Sequence, residues 1–547
     1  MRTDNLIGVQ ARTPRSPEQP GGTAHPVGPV RGATGSGWPA DASTVRALAD
    51  ADQPALIRQH RAVRGPEMKL FASAAEMRAI PRSAEFRNGG VSFWYREPGL
   101  PERRAALPGA ADYDVCIVGG GYTGLWCAYY LKRAQPDLRV AVLEREFAGF
   151  GASGRNGGWL SAEFAGSRRR LAEAHGKGAV IALQRAMMAS VDEVIATAEA
   201  EGIDADIVKG GMRMVATNPA QRARLEEEVR YLHEWGYWPE DVFMIEHGHE
   251  PRLQVDGALL ASYSPHAARI QPAKLALGLA AAVERLGVDI FEDTAVTEIR
   301  PRVGERRPVA VTAGGEVRAD HVIRATEGFT STLQGRRREW LPMNSSMIVT
   351  EPLAEETWKH IGWEGREVLG DAAHAYCYAQ RTADDRIAIG GRGVPYRFGS
   401  RQDAGGGTPP QAIAELWRVL ARLFPVASDV PVAHAWSGVL GVPRDWCPTV
   451  HLDPETGLGW AGGYVGSGVT AANLAGRTLR DLVLGHRSEL TRLPWVGRSV
   501  RGWEPEPLRW VGTQVVYGLY RTADRRESDR VCHTSRFADL ATRISGR

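Results

Sequence analysis

Three glycine-rich runs hold the residues whose types and spacing point to chemistry. In the first, Gly119, Gly121 and Gly124 fall in G-x-G-x-x-G spacing, with Tyr122 and Thr123 between the last two. Gly119 permits a tight turn, Gly121 lets the backbone approach a pyrophosphate, and Gly124 lets a helix pack closely on the strand before it. A helix starting here presents free N–H groups and a positive dipole end to phosphate. Glu144, followed by Arg145, closes the next apolar run, where a carboxylate accepts hydrogen bonds from a ribose diol. The second run is Gly151-Ala152-Ser153-Gly154-Arg155-Asn156-Gly157-Gly158; small residues here let backbone pass close to a second large, flat group. The third is Gly462-Gly463-Tyr464-Val465-Gly466-Ser467-Gly468, ahead of Val469 and Thr470. An ordinary glycine turn in some other βαβ unit competes with the nucleotide reading. The strand before the first run, the helix after it and the acid downstream are the context that the nucleotide motif requires.

Those runs need elements to position them. Val115–Val118 is an apolar run fit for a buried strand, Leu125–Arg133 reads as a helix, and Arg139–Leu143 as a second strand. Around the third run, Gly457–Ala461 reads as a strand and Val469–Leu484 as a helix. Between them the pattern changes. Arg168–Ala200 is helical, Gly211–Ala216 a strand and Pro219–Trp235 a helix. Pro272 opens a helix with Leu275, Leu279, Val283 and Leu286 on one face, stopped by Gly287. Strands follow at Val288–Phe291, Thr294–Ile299 and His321–Ala325, with a hairpin across Gly314-Gly315. A further strand at Met347–Thr350, a hairpin around Ala383-Asp384-Asp385 and a helix at Pro409–Phe424 complete the body.

On its three glycine runs the chain resembles the FAD-dependent amine and D-amino-acid oxidase (DAO) family. It is most similar to the γ-glutamylputrescine oxidase branch, where S-G-R-N-G-G follows the second strand. The resemblance spans Tyr113–Gly485. It implies an α/β fold: a discontinuous FAD/NAD(P)-binding Rossmann-like domain of the glutathione-reductase type, with an inserted α+β substrate domain. The FAD-binding parts are then 111–166, 264–335 and 431–489; the substrate parts are 167–263 and 336–430. Residues 68–110 form a docking segment and linker, in which Gly89–Tyr95 docks on the body, and 490–547 a basic tail packed on the surface. By the same resemblance, backbone near Val296 meets the adenine side, Ala325 and Thr326 close the strand beside it, and the third run lies under the flavin ring. Family members often carry Asn where this chain has Glu327.

The implied reaction is oxidation of an amine or amino acid. Hydride passes to flavin N5, and the imine hydrolyses. Candidate pocket residues are Tyr376, Tyr378 and Arg381 on the hairpin, Arg392 in a G-G-R-G run able to fork a carboxylate, and Trp436 and Tyr464 near the third loop. Arg444 and Trp446, ahead of the same loop, and His266, ahead of the third βα segment, are candidates too. Each has a plainer reading taken singly, since an aromatic ring is usually core and an arginine usually a surface ion pair. FAD is expected to be non-covalent, with Cys447 a buried thiol. Oxygen or another acceptor takes the electrons. An NAD(P)-linked dehydrogenase and a non-catalytic flavin-bearing subunit are the alternatives.

Bulk properties narrow the field. A chain of 547 residues implies two domains with extensions. Hydrophobic content of 43% and charge of 24% fit a soluble globular protein. A net charge of +3 gives no reason to invoke nucleic acid or an anionic membrane. No apolar run reaches the ~18 residues of a membrane span, and no secretory signal is visible. Five scattered cysteines give no disulfide framework and suggest the cytoplasm; no Cys/His cluster has zinc spacing, so no metal is expected. Residues 1–67 read as disordered, with a weak helix at Val45–Val63 and Met68 as a nearer start.

Overall fold

Val115–Val118 is buried along its whole length, as a central strand of a covered parallel sheet must be. The computed structural model describes residues 80–246, 253–391, 396–402, 405–527, 531 and 533–546. The chain divides into two units, Met1–Glu67 and Met68–Arg547. The first lies outside the described residues, with the disorder and the Val45–Val63 helix expected there; so do Met68, Arg392 and Gly393.

Val115–Val118 pairs in parallel with Val140–Leu143 on one side and His321–Arg324 on the other. Asp289–Phe291 and Leu458–Gly462 extend the two sides, and Thr449–Asp453 adds an antiparallel edge to make six strands. The helices Tyr122–Ala134 and Gly468–Val483 follow two of these strands and touch each other. The contact is close because Gly476 has no side chain; a Cβ there would sit 2.7 Å from Trp126 Cβ. The first and third glycine runs are thereby held side by side although more than half the chain separates them in sequence.

The second sheet has nine strands. Its centre is the long antiparallel pair Leu341–Thr350 and Val432–Val442. Val432–Val442 corrects the sequence reading, which put 431–489 in the nucleotide-binding part. The strand is buried almost throughout, and its partner is chosen by long-range register rather than by local pattern. The expected hairpin is present as Tyr378–Arg381 against Ile387–Gly391. On one face helix Pro410–Leu423 buries Ile413, Leu416, Leu420 and Leu423. The other face meets Phe93, Trp94 and Tyr95, all buried. The helical stretch at Arg168–Ala200 is two helices, broken at Gly176, whose φ is 83°.

The tail is more than a surface coat. Trp503 and Tyr517 are buried in a cluster with Leu341, Met343 and Val442, built by helices Leu508–Arg526 and Arg536–Ser545. Among the described residues, no helix is long and apolar enough to cross a membrane.

Candidate cofactor and substrate site

Two cavities share Ala152 and run along the glycine loops. The first lies at the N-terminus of helix Tyr122–Ala134. Gly119 turns the chain with φ 110°, and a Cβ there would stand 2.6 Å from the Ala325 carbonyl oxygen. Gly124 is needed for a different reason: a Cβ would stand 2.0 Å from the Gly119 oxygen. The Tyr122 N–H donates to Ser153 Oγ at 2.8 Å, which ties the first loop to the second. Glu144 accepts from the N–H of Gly120 at 2.7 Å and of Glu146 at 3.0 Å. Burial raises its pKa, and those two N–H groups oppose the rise. Val296, Ala325 and Thr326 form the far wall, and Arg145 lies over the Phe329 ring at 4.9 Å.

The second cavity opens beyond Ala152. Arg155, Asn156 and Gly157 of the second loop form one side; Gly466, Ser467, Val469 and Thr470 at the start of helix Gly468–Val483 form another. That helix has no side-chain cap. Thr470 is 1% exposed, and its hydroxyl has no partner among the described residues. Tyr378 comes in from the nine-stranded sheet and Tyr376 from the segment just ahead of its strand. The Tyr378 hydroxyl meets that of Ser345 at 2.8 Å. Glu163 is the one carboxylate lining this cavity among the described residues, and it accepts no hydrogen bond from them. Burial, then the charge of Glu228, raises its pKa; Arg168 opposes them.

The two cavities together gather most of the expected positions and redirect several. Arg381 is a correction. Its neighbour Gln380 reaches the Gly157 oxygen at 2.7 Å, whereas Arg381 points to the opposite face, paired with Asp385 and 4.0 Å above the Trp358 ring. Trp436 is a second correction: it is fully buried and donates to the Arg155 carbonyl at 2.9 Å, so it supports the second loop from behind. Tyr464 is a third. Its buried hydroxyl meets that of Thr123 at 3.1 Å and joins the first loop to the third, lining neither cavity. Gly154, Gly158, Gly463, Val465 and Gly468 likewise shape the loops without lining the cavities. Arg392 lies outside the described residues. His266 pairs with Asp241 at 2.6 Å and Arg444 with Glu504 at 3.1 Å, both away from the cavities. Sequence reading missed Glu163, Trp159, Ser161 and Ser345. Glu163 alone had a local signal, as an acid just beyond the second glycine run.

A bound dinucleotide fits these residues. The backbone N–H groups at the start of helix Tyr122–Ala134, the Cβ-free approach at Gly121, and the unpartnered Thr470 hydroxyl are what an anionic linker and a hydrogen-bonding ring system would complete.

The FAD dependent oxidoreductase (DAO) family model matches residues 114–482. The chain belongs to this family of FAD-dependent oxidoreductases. It is 31% identical to gamma-glutamylputrescine oxidoreductase of Escherichia coli (strain K12), over 68% of this chain and 84% of that one. It is 29% identical to the probable oxidoreductase OrdL of Rhizobium meliloti (strain 1021), over 73% and 90% of the two chains. Among solved structures, glycine oxidase from Geobacillus kaustophilus is similar with a TM-score of 0.55 at 26% identity, covering 69% of this chain and 96% of that one. The family sets aside the NAD(P)-linked alternative.

Proposed function

We propose that this enzyme oxidises the C–N bond of an amine or amino acid to an imine, which hydrolyses. Similar proteins named for gamma-glutamylputrescine, glycine and sarcosine support the substrate class. The observation that carries the reading is the meeting of the two cavities at Ala152, one at a helix N-terminus and one walled by tyrosines and a single acid.

FAD, when bound, supplies the acceptor for the hydride leaving the substrate carbon. Gly119, Gly121, Thr123, Glu144 and Ser153 would hold its dinucleotide part, and Arg155–Gly157 with Gly466–Thr470 its ring. The positive end of helix Gly468–Val483 opens on the second cavity and favours negative charge there. Tyr376 and Tyr378 provide a wall against which an alkyl chain packs, and the second loop closes the other side. The amine has to be neutral when hydride leaves. Glu163, with its raised pKa, is placed to take a proton from the entering ammonium or to hold a second cationic group of the substrate.

Non-covalent FAD is supported because, among the described residues, no cysteine or histidine lines either cavity, and Cys447 is fully buried elsewhere. A cytoplasmic setting is supported by the four described cysteines, which are free and buried. Oxygen or another acceptor re-oxidises the enzyme. The test is anaerobic mixing of the yellow protein with polyamines, γ-glutamyl amines, N-methyl amino acids and D-amino acids. Bleaching by at least one amine, reversed by an acceptor, is the expected result; a spectrum inert to all of them rejects the proposal.

A further inference from the structure

A third cavity, of about 520 Å³, lies apart from the two just described. It opens between the Phe93–Glu97 segment, the corner where strand Ala267–Arg269 leads into helix Pro272–Arg285, and the turn of the Tyr378–Gly391 hairpin. Arg269 lines it while being only 5% exposed. Reciprocal backbone hydrogen bonds with Val208, at 2.9 and 3.0 Å, hold the chain at this residue. The Arg269 guanidinium makes no ion pair or hydrogen bond with the described residues, and its buried Nε has no acceptor.

The neighbouring cations are all satisfied by comparison. Lys274 is paired with Glu97 at 2.7 Å and Asp206 at 3.1 Å. Arg386 is paired with Asp384 at 2.6 Å and Glu351 at 2.8 Å. Arg366 and Arg381 share Asp385 at 2.9 and 2.8 Å. These acids match the cations in number, Arg269 included, yet each of them bonds a cation other than Arg269, whose guanidinium is left without a bonded partner; Arg96 stands exposed at the edge. Burial, then the charge of Arg366, lowers the Arg269 pKa to about 10 against the opposing charges of Asp206 and Asp385, which leaves it cationic at neutral pH. A buried guanidinium without a hydrogen-bonding partner is costly, so a chain that keeps one gains from a ligand that accepts from it. Helix Pro272–Arg285 adds to the field. Its N-cap Gln271 and its first-turn Lys274 both line the cavity, so its positive end opens there.

We propose that this cavity is a second binding site, for a small molecule carrying a phosphate group that the Arg269 guanidinium forks. A guanidinium beside a helix N-terminus matches a phosphate better than a single ammonium would. Phe93 and Trp94 supply an apolar wall for the rest of the ligand. Two side chains connect this site to the substrate cavity: the Trp94 indole donates to the Asn156 oxygen at 2.8 Å, and Gln380 to the Gly157 oxygen.

The test uses the full-length, FAD-loaded protein, so that the dinucleotide groove is already filled. Inorganic phosphate is titrated by calorimetry at constant ionic strength. One saturable site per chain is expected. Arg269→Gln weakens it about 10- to 100-fold, the range for a lost charged hydrogen bond. Arg269→Lys, which keeps the charge and loses the fork, also weakens it, and the flavin spectrum is unchanged in both. Without phosphate, Arg269→Gln unfolds at an equal or higher denaturant concentration than the wild type. No saturable heat from the wild type overturns the proposal, as does unchanged binding in Arg269→Gln. If that variant does not fold, the wild-type titration and Arg269→Lys decide. Acetate binding as tightly as phosphate overturns the phosphate assignment.

Discussion

Replacing Glu327 with Gln should make the protein's stability less dependent on pH, in a direction and by an amount the structure sets. Glu327 is partly buried at a positive φ of 42°. Its two carboxylate oxygens accept from the N–H groups of Gly441, at 2.7 Å, and Tyr464, at 2.9 Å. It thereby clamps the third glycine loop to the end of strand Val432–Val442. Burial lifts its pKa from 4.5 to about 7, against the opposing pull of those N–H groups and the Arg324 charge. The sign follows from proton counting. Between pH 4.5 and 7 the folded chain keeps a proton that the unfolded chain has released, so stability falls as pH rises through this window. At 1.36 kcal/mol per pK unit, the loss between pH 5 and pH 8.5 is about 2.5 kcal/mol. Glu327→Gln is neutral throughout and should lose none of this, while Glu327→Asp should keep a dependence of the same sign. The assay is denaturant unfolding of both proteins at the two pH values, followed by flavin release and by intrinsic fluorescence. A wild-type minus Gln difference that is the same at pH 5 and pH 8.5 refutes the reasoning, because it would mean that the carboxylate is solvated or ionised at both.

Other outcomes follow from the same geometry. Gly119→Ala places a Cβ 2.6 Å from the Ala325 oxygen at φ 110°, so the variant should purify without visible absorbance and take up less than a tenth of the FAD bound by the wild type, read by its 450 nm band. Glu163→Gln removes the one carboxylate of the substrate cavity, so KM for an amine with a second positive charge should rise about 10-fold or more while KM for a monoamine stays within about twofold. Cys447→Ser should bind FAD as the wild type does, and acid denaturation of either protein should release all the flavin to the supernatant.

The parts of the site readable from sequence were those where backbone itself is the functional group. Gly119 and Gly124 are demanded by contacts of 2.6 and 2.0 Å, and no other residue type satisfies them, so the demand is written locally. Side chains that reach the cavities from the nine-stranded sheet left no such mark. Tyr378 and Arg381 look alike in a linear reading, yet they stand three positions apart on one strand, so they face opposite sides; only the register against Ile387–Gly391 decides which side is the cavity. Trp436 failed for a related reason. Its strand pairs residue for residue with Leu341–Thr350, about ninety residues earlier, and that pairing turns the ring toward Phe93 and Trp94 instead of toward substrate. Arg269, and Glu163 beyond its place after the second glycine run, were hard to single out for the opposite reason. Their significance is that no described residue forms a hydrogen bond or ion pair with them, and an absent partner is a property of three-dimensional surroundings. The most informative charges in this molecule are therefore the ones that the fold leaves without a bonded partner, and each lines a cavity where a ligand group of opposite sign would supply one.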